Sequence, residues 1–509
     1  MDSMDSNLLS SSLLSFPSSL LSCSISIIIL VMFFLTISIF LSFFDKRSYT
    51  KHESYPLQNT IEVFLNQHRL LDFLLENLRD IEQQRNISTI DLNLFGLPRL
   101  VFTNNVPNIE YILKTNFNNY GKGPILYRRF FGLLGDGIFN ADNDIWYHHR
   151  KTSAHIFNVN KFRTCILSTF NEKCDTVIET LRKHTTDSTD FQDLMFRFTL
   201  DSIGLIAFNF DIGALKQKNV QFAKDFDYCQ EITNQSFIDP LWYVKRYLSM
   251  PGLRYFAALN RINSFAYGII KERRNSIKND YNVASDLLSL YLKNDPLNVS
   301  DKELRDVIIN FIIAGRDTTA QALSWAMFEL CKHKHIQEKI RIEISEVLKS
   351  STASSTGDQL FSDIQRMKYI EMVCLETLRL HPSVPKEAKH CFQNDTLPDG
   401  TIVYKGDLLV FSPWCMGRNE TLWGHDCLEF IPERFSNNLK PNPYKFTAFQ
   451  AGPRQCLGQT LAILEMKVVL FRLLQVFEFE MQNLHQPVTY INTITLPIKD
   501  GLQIIVKEL

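Results

Sequence analysis

The 509-residue chain lacks an excess of charge of either sign: 54 Lys and Arg stand against 55 Asp and Glu. A net charge of −1 leaves nothing with which to neutralise a phosphate backbone, so no nucleic-acid partner is expected. Paired cysteines are also lacking. The ten that occur are scattered, with no CxxC and no finger spacing, which excludes a zinc-finger module and a disulfide framework and fits a reducing compartment. No GxGxxG loop follows a strand, and no Walker A sequence is present, so the chain has no evident seat for a flavin or a nicotinamide. No Pro/Gly/Ser-rich linker divides it beyond residue 60; one large domain is expected despite the length.

One further absence is local. No charged residue lies between Asp5 and Asp45, and within that gap Ile25 to Phe44 is almost wholly apolar. Twenty residues at 1.5 Å rise give about 30 Å, the thickness of a bilayer core. Lys46, Arg47 and Lys51 follow the run, while only Asp2 and Asp5 precede it. The positive-inside rule then places residues 1–24 as a short luminal tail, 25–44 as an anchor in the lipid bilayer, 45–70 as a polar connector and 71–509 as a cytosolic domain. A cleaved signal peptide is the competing reading. It is disfavoured by the missing basic n-region and by the length of the apolar run.

Past the connector, residues 90 to 115 alternate around Leu92, Leu94, Leu97, Leu100 and Phe102, which predicts short strands. From about 155 to 350 apolar residues recur three and four apart, the helical period. The C-terminal third mixes helices with turns; Leu397-Pro398-Asp399-Gly400 predicts a hairpin. The fold class expected is mainly α with small β-sheets.

The most informative stretch runs from Phe449 to Gly458, FQAGPRQCLG, ahead of a long apolar helical segment. A cysteine at a helix start meets unpaired amides and the positive end of the dipole, and both favour its thiolate. Gly452 permits a sharp turn, and Gly458 removes a side chain where a flat ligand would approach the backbone. Arg454 is a permanently charged fork suited to a carboxylate. A lone cysteine is ordinarily a small buried hydrophobe; five positions at fixed spacing (Phe449, Gly452, Arg454, Cys456, Gly458) outweigh that reading. Within a helical stretch from about Asp301 to Cys331 lies Ala314-Gly315-Arg316-Asp317-Thr318-Thr319. Ala314 and Thr318 are four apart, so a threonine hydroxyl or a water is placed to open the backbone bond between them. Glu376-Thr377-Leu378-Arg379 pairs opposite charges three apart, Pro432-Glu433-Arg434-Phe435 adds a second arginine, and Trp146 and Arg150 are four apart in WYHHR.

These motifs resemble those of the cytochrome P450 superfamily, over roughly residues 60 to 509. The resemblance implies the P450 prism fold preceded by one transmembrane helix. The implied cofactor is haem b (iron protoporphyrin IX), with Cys456 as its axial metal ligand. Phe449 would shield the sulfur, and Trp146, Arg150, Arg454 and His390 would hold the propionates. A surface histidine is the bland alternative for His390. By the same resemblance Asp317 and Thr318 form a proton-relay pair, Ala314 and Gly315 leave room for O2 and substrate, and Glu376, Arg379 and Arg434 form a buried structural cluster. Electrons would come from NADPH–cytochrome P450 reductase, with cytochrome b5 as a second donor, at the endoplasmic reticulum membrane.

Four segments are similar to the fatty-acid ω-hydroxylase clan: GDGIFNADNDIWYHHRKTSAHIF (135–157), AGRDTTAQALSW (314–325), ETLRLHPSVP (376–385) and LWGHDCLEFIPERF (422–435). The expectation is a monooxygenase acting on a small lipophilic substrate, a long-chain fatty acid or related aliphatic, at or near its terminal methyl. Ala314, the loop Ser383 to Pro385 and the turn Ile494 to Leu496 are candidate pocket residues. Alternatives are another lipophilic substrate such as an alkane, sterol or terpenoid, and a non-catalytic haem sensor. The intact Asp317–Thr318 pair argues against the sensor, and against isomerase chemistry on a peroxide. Arg316 is given no role by the sequence.

Overall fold

Apolar residues at helical spacing bury one face of each segment, and the long middle of the chain is helical for that reason. The computed structural model describes residues 62–509 apart from positions 64, 86–87, 94–97, 157–159, 184–186, 218, 238, 240, 280–285, 295–298, 352–356, 438 and 485. All of these lie in one unit of the chain, Ser54–Leu509. Among the described residues no helix is long and apolar enough to cross a membrane, and the expected span Ile25–Phe44 lies outside them.

Helix α1 (Leu70–Arg85) leads into a five-stranded sheet with small strands drawn from distant parts of the chain. Its order is β1 (Thr89–Leu92), β2 (Leu100–Thr103), β8 (Leu408–Phe411), β5 (Glu387–Cys391), β3 (Tyr120–Gly121), with only β2 and β8 parallel. β4 (Thr189–Asp190), β10 (Gln503–Glu508) and β9 (Phe477–Met481) form a second sheet in that order. β6 (Asp395–Thr396) and β7 (Ile402–Val403) form the expected hairpin around Leu397–Gly400, closed by the Gly400 amide on the Leu397 carbonyl at 2.8 Å. The strand expectation fails after Thr103. Asn105 caps a helix at Val106–Glu110 by accepting from the Asn108 amide, Pro107 occupies its first turn, and a π-helical turn at Tyr111–Thr115 continues it. Ile109, Ile112 and Leu113 are buried there at helical spacing.

The helices that position the site are α2 (Asn143–Ile156), α3 (Phe191–Phe208), α4 (Gln221–Gln235), α5 (Asp301–Ile312), α6 (Thr318–Lys332), α7 (Lys368–Leu380) and α8 (Gln459–Leu474). Ser300 caps α5 by accepting from the Glu303 amide, and Asp301 and Glu303 favour its positive end. A π-helical turn, Ile313–Asp317, joins α5 to α6 into one central helix. The core packs α3, α5, α6, α7 and α8 together through residues such as Phe198, Ile308, Leu323, Leu378 and Leu470. The segment GDGIFN docks onto α5. The Asp136 amide donates to Asp306 at 3.0 Å and the Phe139 amide to Asn310 at 3.1 Å, and a Cβ on Gly135 would strike the Asp306 carboxylate.

Glu376 and Arg379 on α7 are fully buried and bidentate, with both contacts at 2.7 Å. Arg379 also donates to the carbonyls of Gly417, Cys427 (2.6 Å) and Glu429 (2.9 Å). Glu376 accepts from the Ile431 amide at 2.8 Å and from Arg434 at 3.4 Å, and Arg434 pairs with Asp426 at 2.7 Å. The segment 417–434 is thus wrapped around one ion pair. Glu376→Gln keeps the volume but leaves Arg379 a buried, uncompensated cation, which costs about 3–5 kcal/mol. Urea unfolding of the full chain is expected to show a lowered midpoint at unchanged slope; a loss of less than about 1 kcal/mol, the value of a surface pair, would contradict this account.

Candidate active site

The cysteine loop is fixed by its backbone before any side chain acts. Gly452 adopts φ +66°, and a Cβ there would reach the Leu113 carbonyl, so the loop lies directly on the π-turn Tyr111–Thr115. The Cys456 amide donates to the Phe449 carbonyl at 2.8 Å, and α8 begins three residues later, capped by Gly458. The Phe449 ring is half-buried against the core. The Cys456 side chain is exposed yet surrounded by protein, so its free face looks into an internal space. A Cβ on Gly458 would meet nothing nearer than Cys456 Sγ at 3.9 Å, which leaves the backbone open on that side. The thiol departs from expectation. Burial pushes it up, and this outweighs the opposing influence of the Gly458 amide and Arg150. A bound metal cation would reverse that balance.

A cationic rim borders the loop. Arg454 donates to Asp142 at 2.6 Å and to the Ala141 carbonyl at 3.0 Å, and its guanidinium lies over the Trp146 ring at 4.6 Å. Arg150, one turn beyond Trp146 on α2, donates to the Gln455 carbonyl and acts electrostatically on Cys456. His390 on β5 is buried, not a surface residue, and pairs in register with Gly121. Two residues that sequence reasoning missed complete the rim. Lys389 is buried beside Glu387 at 3.8 Å and its pKa is lowered to about 7, by burial first and by Lys122 second. Burial likewise lowers Lys122 and Arg454. A lysine inside a β-strand next to a candidate histidine is the signal that was available.

This rim fits the haem. Basic groups (Lys122, Arg150, Lys389, Arg454) outnumber the two carboxylates there (Asp142, Glu387), and two propionates would supply negative charge that favours the protonated form of Lys389. Arg454 Nε and His390 Nδ1 are buried polar atoms without a partner. Such orphaned atoms are costly unless a ligand satisfies them.

The central helix packs on α8 through Thr319 and Glu465 and carries a π-helical turn. From Leu304 to Met327 every residue is buried except Phe311, Ala314, Gly315 and Thr318, which form one stripe at spacings of three and four. A helix buried all round except for such a stripe lines a cavity. The turn Ile313–Asp317 is π-helical, and the Thr318 hydroxyl donates to the Ala314 carbonyl. Gly315 has a packing reason as well: a Cβ there would come within 2.6 Å of Ile203 on α3. Ser383 donates to the Thr318 carbonyl at 2.7 Å and brings the half-buried Val384 alongside. The turn 494–496 is pinned to α6 by Gln321 on the Leu496 amide (2.7 Å) and by Trp325 on the Leu496 carbonyl (2.8 Å). Leu496 is wholly buried, whereas Ile494 is half-buried. Thr319 turns the other way and hydrogen-bonds Glu465 of α8, whose carboxyl burial raises to about 8.

Asp317 and Thr318 do not share a face. Asp317 is buried toward α4, where Arg316 donates to it at 2.8 Å, and burial raises its pKa to about 6 despite that cation. A cleft of about 1290 Å³ reaches Asp317 on this side, and neither Thr318 nor Cys456 lines it.

Comparison with known proteins agrees with the geometry. A family model described as cytochrome P450 matches residues 92–504. Cytochrome P450 704B1 of Arabidopsis thaliana is 33% identical over 520 aligned residues, covering 92% of this chain and 97% of the relative. Cytochrome P450 704C1 of Pinus taeda is 38% identical, covering 79% and 84%. Cytochrome P450 94B1 of Arabidopsis thaliana is 33% identical, covering 89% and 91%.

Arg454→Leu is expected to purify with a reduced ratio of haem to polypeptide, and Lys389→Met with a smaller reduction, because each removes one positive charge matched to a propionate. Haem content measured as the pyridine haemochrome decides the point. Full occupancy in both variants would show that the rim charges are balanced by something else.

Proposed function

The chain belongs to the cytochrome P450 family, and from that premise we propose that it is a membrane-attached hydroxylase of long-chain fatty acids or related aliphatics, acting at or near the terminal methyl. As a family member it is a haem-dependent monooxygenase that accepts a lipophilic substrate, uses O2 and receives electrons from a redox partner. The finer reading assigns Cys456 as the axial ligand, Arg150, Arg454, Trp146 and His390 as the propionate-holding group, and NADPH–cytochrome P450 reductase as the electron donor. The observation that carries the site assignment is the half-exposed stripe Phe311–Thr318, with its widened turn, on a helix otherwise buried.

The haem, when bound through Cys456, supplies the oxidising centre that inserts oxygen into a C–H bond. The chain's own residues prepare the place. The cationic rim would hold the propionates. Phe311, Ala314, Val384 and Ile494 offer apolar surface to an alkyl chain, worth about 0.8 kcal/mol per buried methylene. The Thr318 hydroxyl, bonded back to the Ala314 carbonyl, holds a proton where the helix ladder is open. Asp317, whose carboxyl burial raises to about 6, is suited to exchange protons with solvent on the far face.

The substrate class rests on the resemblance of the segments around Gly135, Ala314 and Trp423 to the ω-hydroxylase clan. Membrane attachment rests on Ile25–Phe44 and on an exposed surface at Trp242–Leu248 and the start of Met250–Asn279. Tyr243, Tyr247, Leu248 and Met250 project there, with Lys245 and Arg254 among them. Apolar and aromatic side chains interleaved with cations suit the interfacial zone of a bilayer.

Two outcomes are expected. Reduced protein treated with carbon monoxide shows the red-shifted haem band of thiolate ligation, and Cys456→Ala lacks it; a variant that keeps the band would overturn the ligand assignment. Microsomes holding the enzyme and reductase, offered fatty acids, alkanes and sterols, yield products hydroxylated at the chain end, as read by mass spectrometry. Exclusive turnover of sterols or terpenoids would leave a monooxygenase but remove the fatty-acid reading.

A further inference from the structure

Arg316 stands in the oxygen-activation segment but has no part in the site as described. It is buried, and its fork joins two carboxylates from different helices. Nη1 lies 2.6 Å from Asp227 of α4 and 2.8 Å from Asp317, and Nη2 lies 3.2 Å from Asp227. The guanidinium is stacked 4.7 Å from the Phe196 ring of α3, which fixes its plane. The two carboxylates are not equivalent. The Asp227 side chain is 56% exposed, whereas Asp317 is almost wholly enclosed. The cleft of about 1290 Å³ contains both, together with Gln230 and Gln321, and opens to solvent at Asp227 and Glu231. Asp317 Oδ2, on the lining of the cleft, and Arg316 Nε, on the neighbouring residue, are buried polar atoms without a partner, the condition that ordered water satisfies.

Among the described residues, the charges acting most strongly on Asp317 are Arg316 on its own helix and Asp227 on α4. From α3 it is faced by Phe196, and the Thr199 hydroxyl is occupied by the Arg316 carbonyl at 2.9 Å. One cation is therefore divided between a solvent-facing and a buried acid.

We propose that Asp227, by sharing Arg316, is a positioning residue that keeps Asp317 able to take up protons from this cleft, which is the proton entrance of the monooxygenase site. Each turnover inserts one oxygen atom of O2 into a C–H bond and releases the other as water. That balance consumes two electrons, from the redox partner, and two protons, from solvent. The protons must reach the cavity side of the central helix without opening it to bulk water. Asp227 accepts part of the Arg316 charge, so Asp317 is less strongly paired and holds a proton more readily. The inference rests on the reading of Asp317 and Thr318 as the relay pair.

The test is Asp227→Asn in the full chain, with reductase and a turned-over substrate. Product formed per NADPH consumed is followed across the pH range around neutrality, and the carbon monoxide band confirms equal haem loading. The variant loses a like charge near Asp317 and leaves Arg316 wholly to it; both changes lower the proton affinity of Asp317. Coupling in the wild type falls as pH rises through the Asp317 titration. In Asp227→Asn the same fall is expected about one pH unit or more lower, and Asp227→Glu restores the original position. In Asp227→Asn combined with Asp317→Asn the displacement disappears. A pH profile of Asp227→Asn that superimposes on the wild type overturns the proposal. Asp317→Asn separates the two readings. If it uncouples while Asp227→Asn does not shift the profile, only the present inference fails; if it leaves coupling intact, the relay pair itself fails and this inference with it.

Discussion

The site depends on an ion pair that never touches it. Glu376 and Arg379 are both removed from water, and desolvating two such groups costs several kcal/mol each unless every hydrogen-bonding position is matched. Two contacts at 2.7 Å match part of the fork. The rest is matched by the carbonyls of Gly417, Cys427 and Glu429, which are in place only when the segment 417–434 is folded around α7. The pair is thus balanced in one arrangement and costly in others. That arrangement sets Trp423 and Phe435 against Phe446, with ring centroids 5.8 Å apart for Phe435 and Phe446. Phe446 precedes the short helical turn Thr447–Phe449, and the Phe449 carbonyl holds the Cys456 amide. The position of the sulfur is in this way inherited from a charge pair on another helix.

Much of this was legible in the sequence because local rules and the fold agree. The glycine at 452 is dictated by a left-handed backbone conformation against Leu113, and the spacing of Ala314 and Thr318 by a hydroxyl that bonds back to its own helix. The hairpin at Leu397–Gly400 follows from turn chemistry alone. The pairing of Glu376 with Arg379 was visible as an i, i+3 pair, although burial and the role of Arg434 came from family resemblance rather than from spacing.

What was not legible depends on partners far along the chain. The alternation before residue 115 reads as strand throughout, yet Asn105 and Pro107 start a helix whose apolar residues pack on the smaller of the two cores. The packing of Gly315 against Ile203 on α3 has no signal in its own segment. The dipole at the start of α8 argues for a thiolate at Cys456, but the sulfur is enclosed, and desolvation exceeds what one amide and one distant arginine return. Lys122 and Lys389 acquire meaning only because β3 and β5 are neighbours, which brings residues far apart in sequence to one rim. Arg316 was silent for the same reason: its partner Asp227 sits on α4, and no spacing within the chain announces it.

Successive residues of a helix point about 100° apart, and here Asp317 is buried toward α4 while Thr318 lies in the accessible stripe. The central helix divides its duties. One stripe, Phe311 to Thr318, is apolar or small and carries no charge. The charges are gathered on the side toward α4, where Arg316 is held between Asp227 and Asp317 and the cleft admits water. Between the two faces the π-turn leaves the Ala314 carbonyl to the Thr318 hydroxyl. A regular helix at this place would seal the faces from one another, since its amides and carbonyls would be fully engaged. The relay proposed above would have to pass at this irregular turn, whose neighbouring residues on the helix are buried.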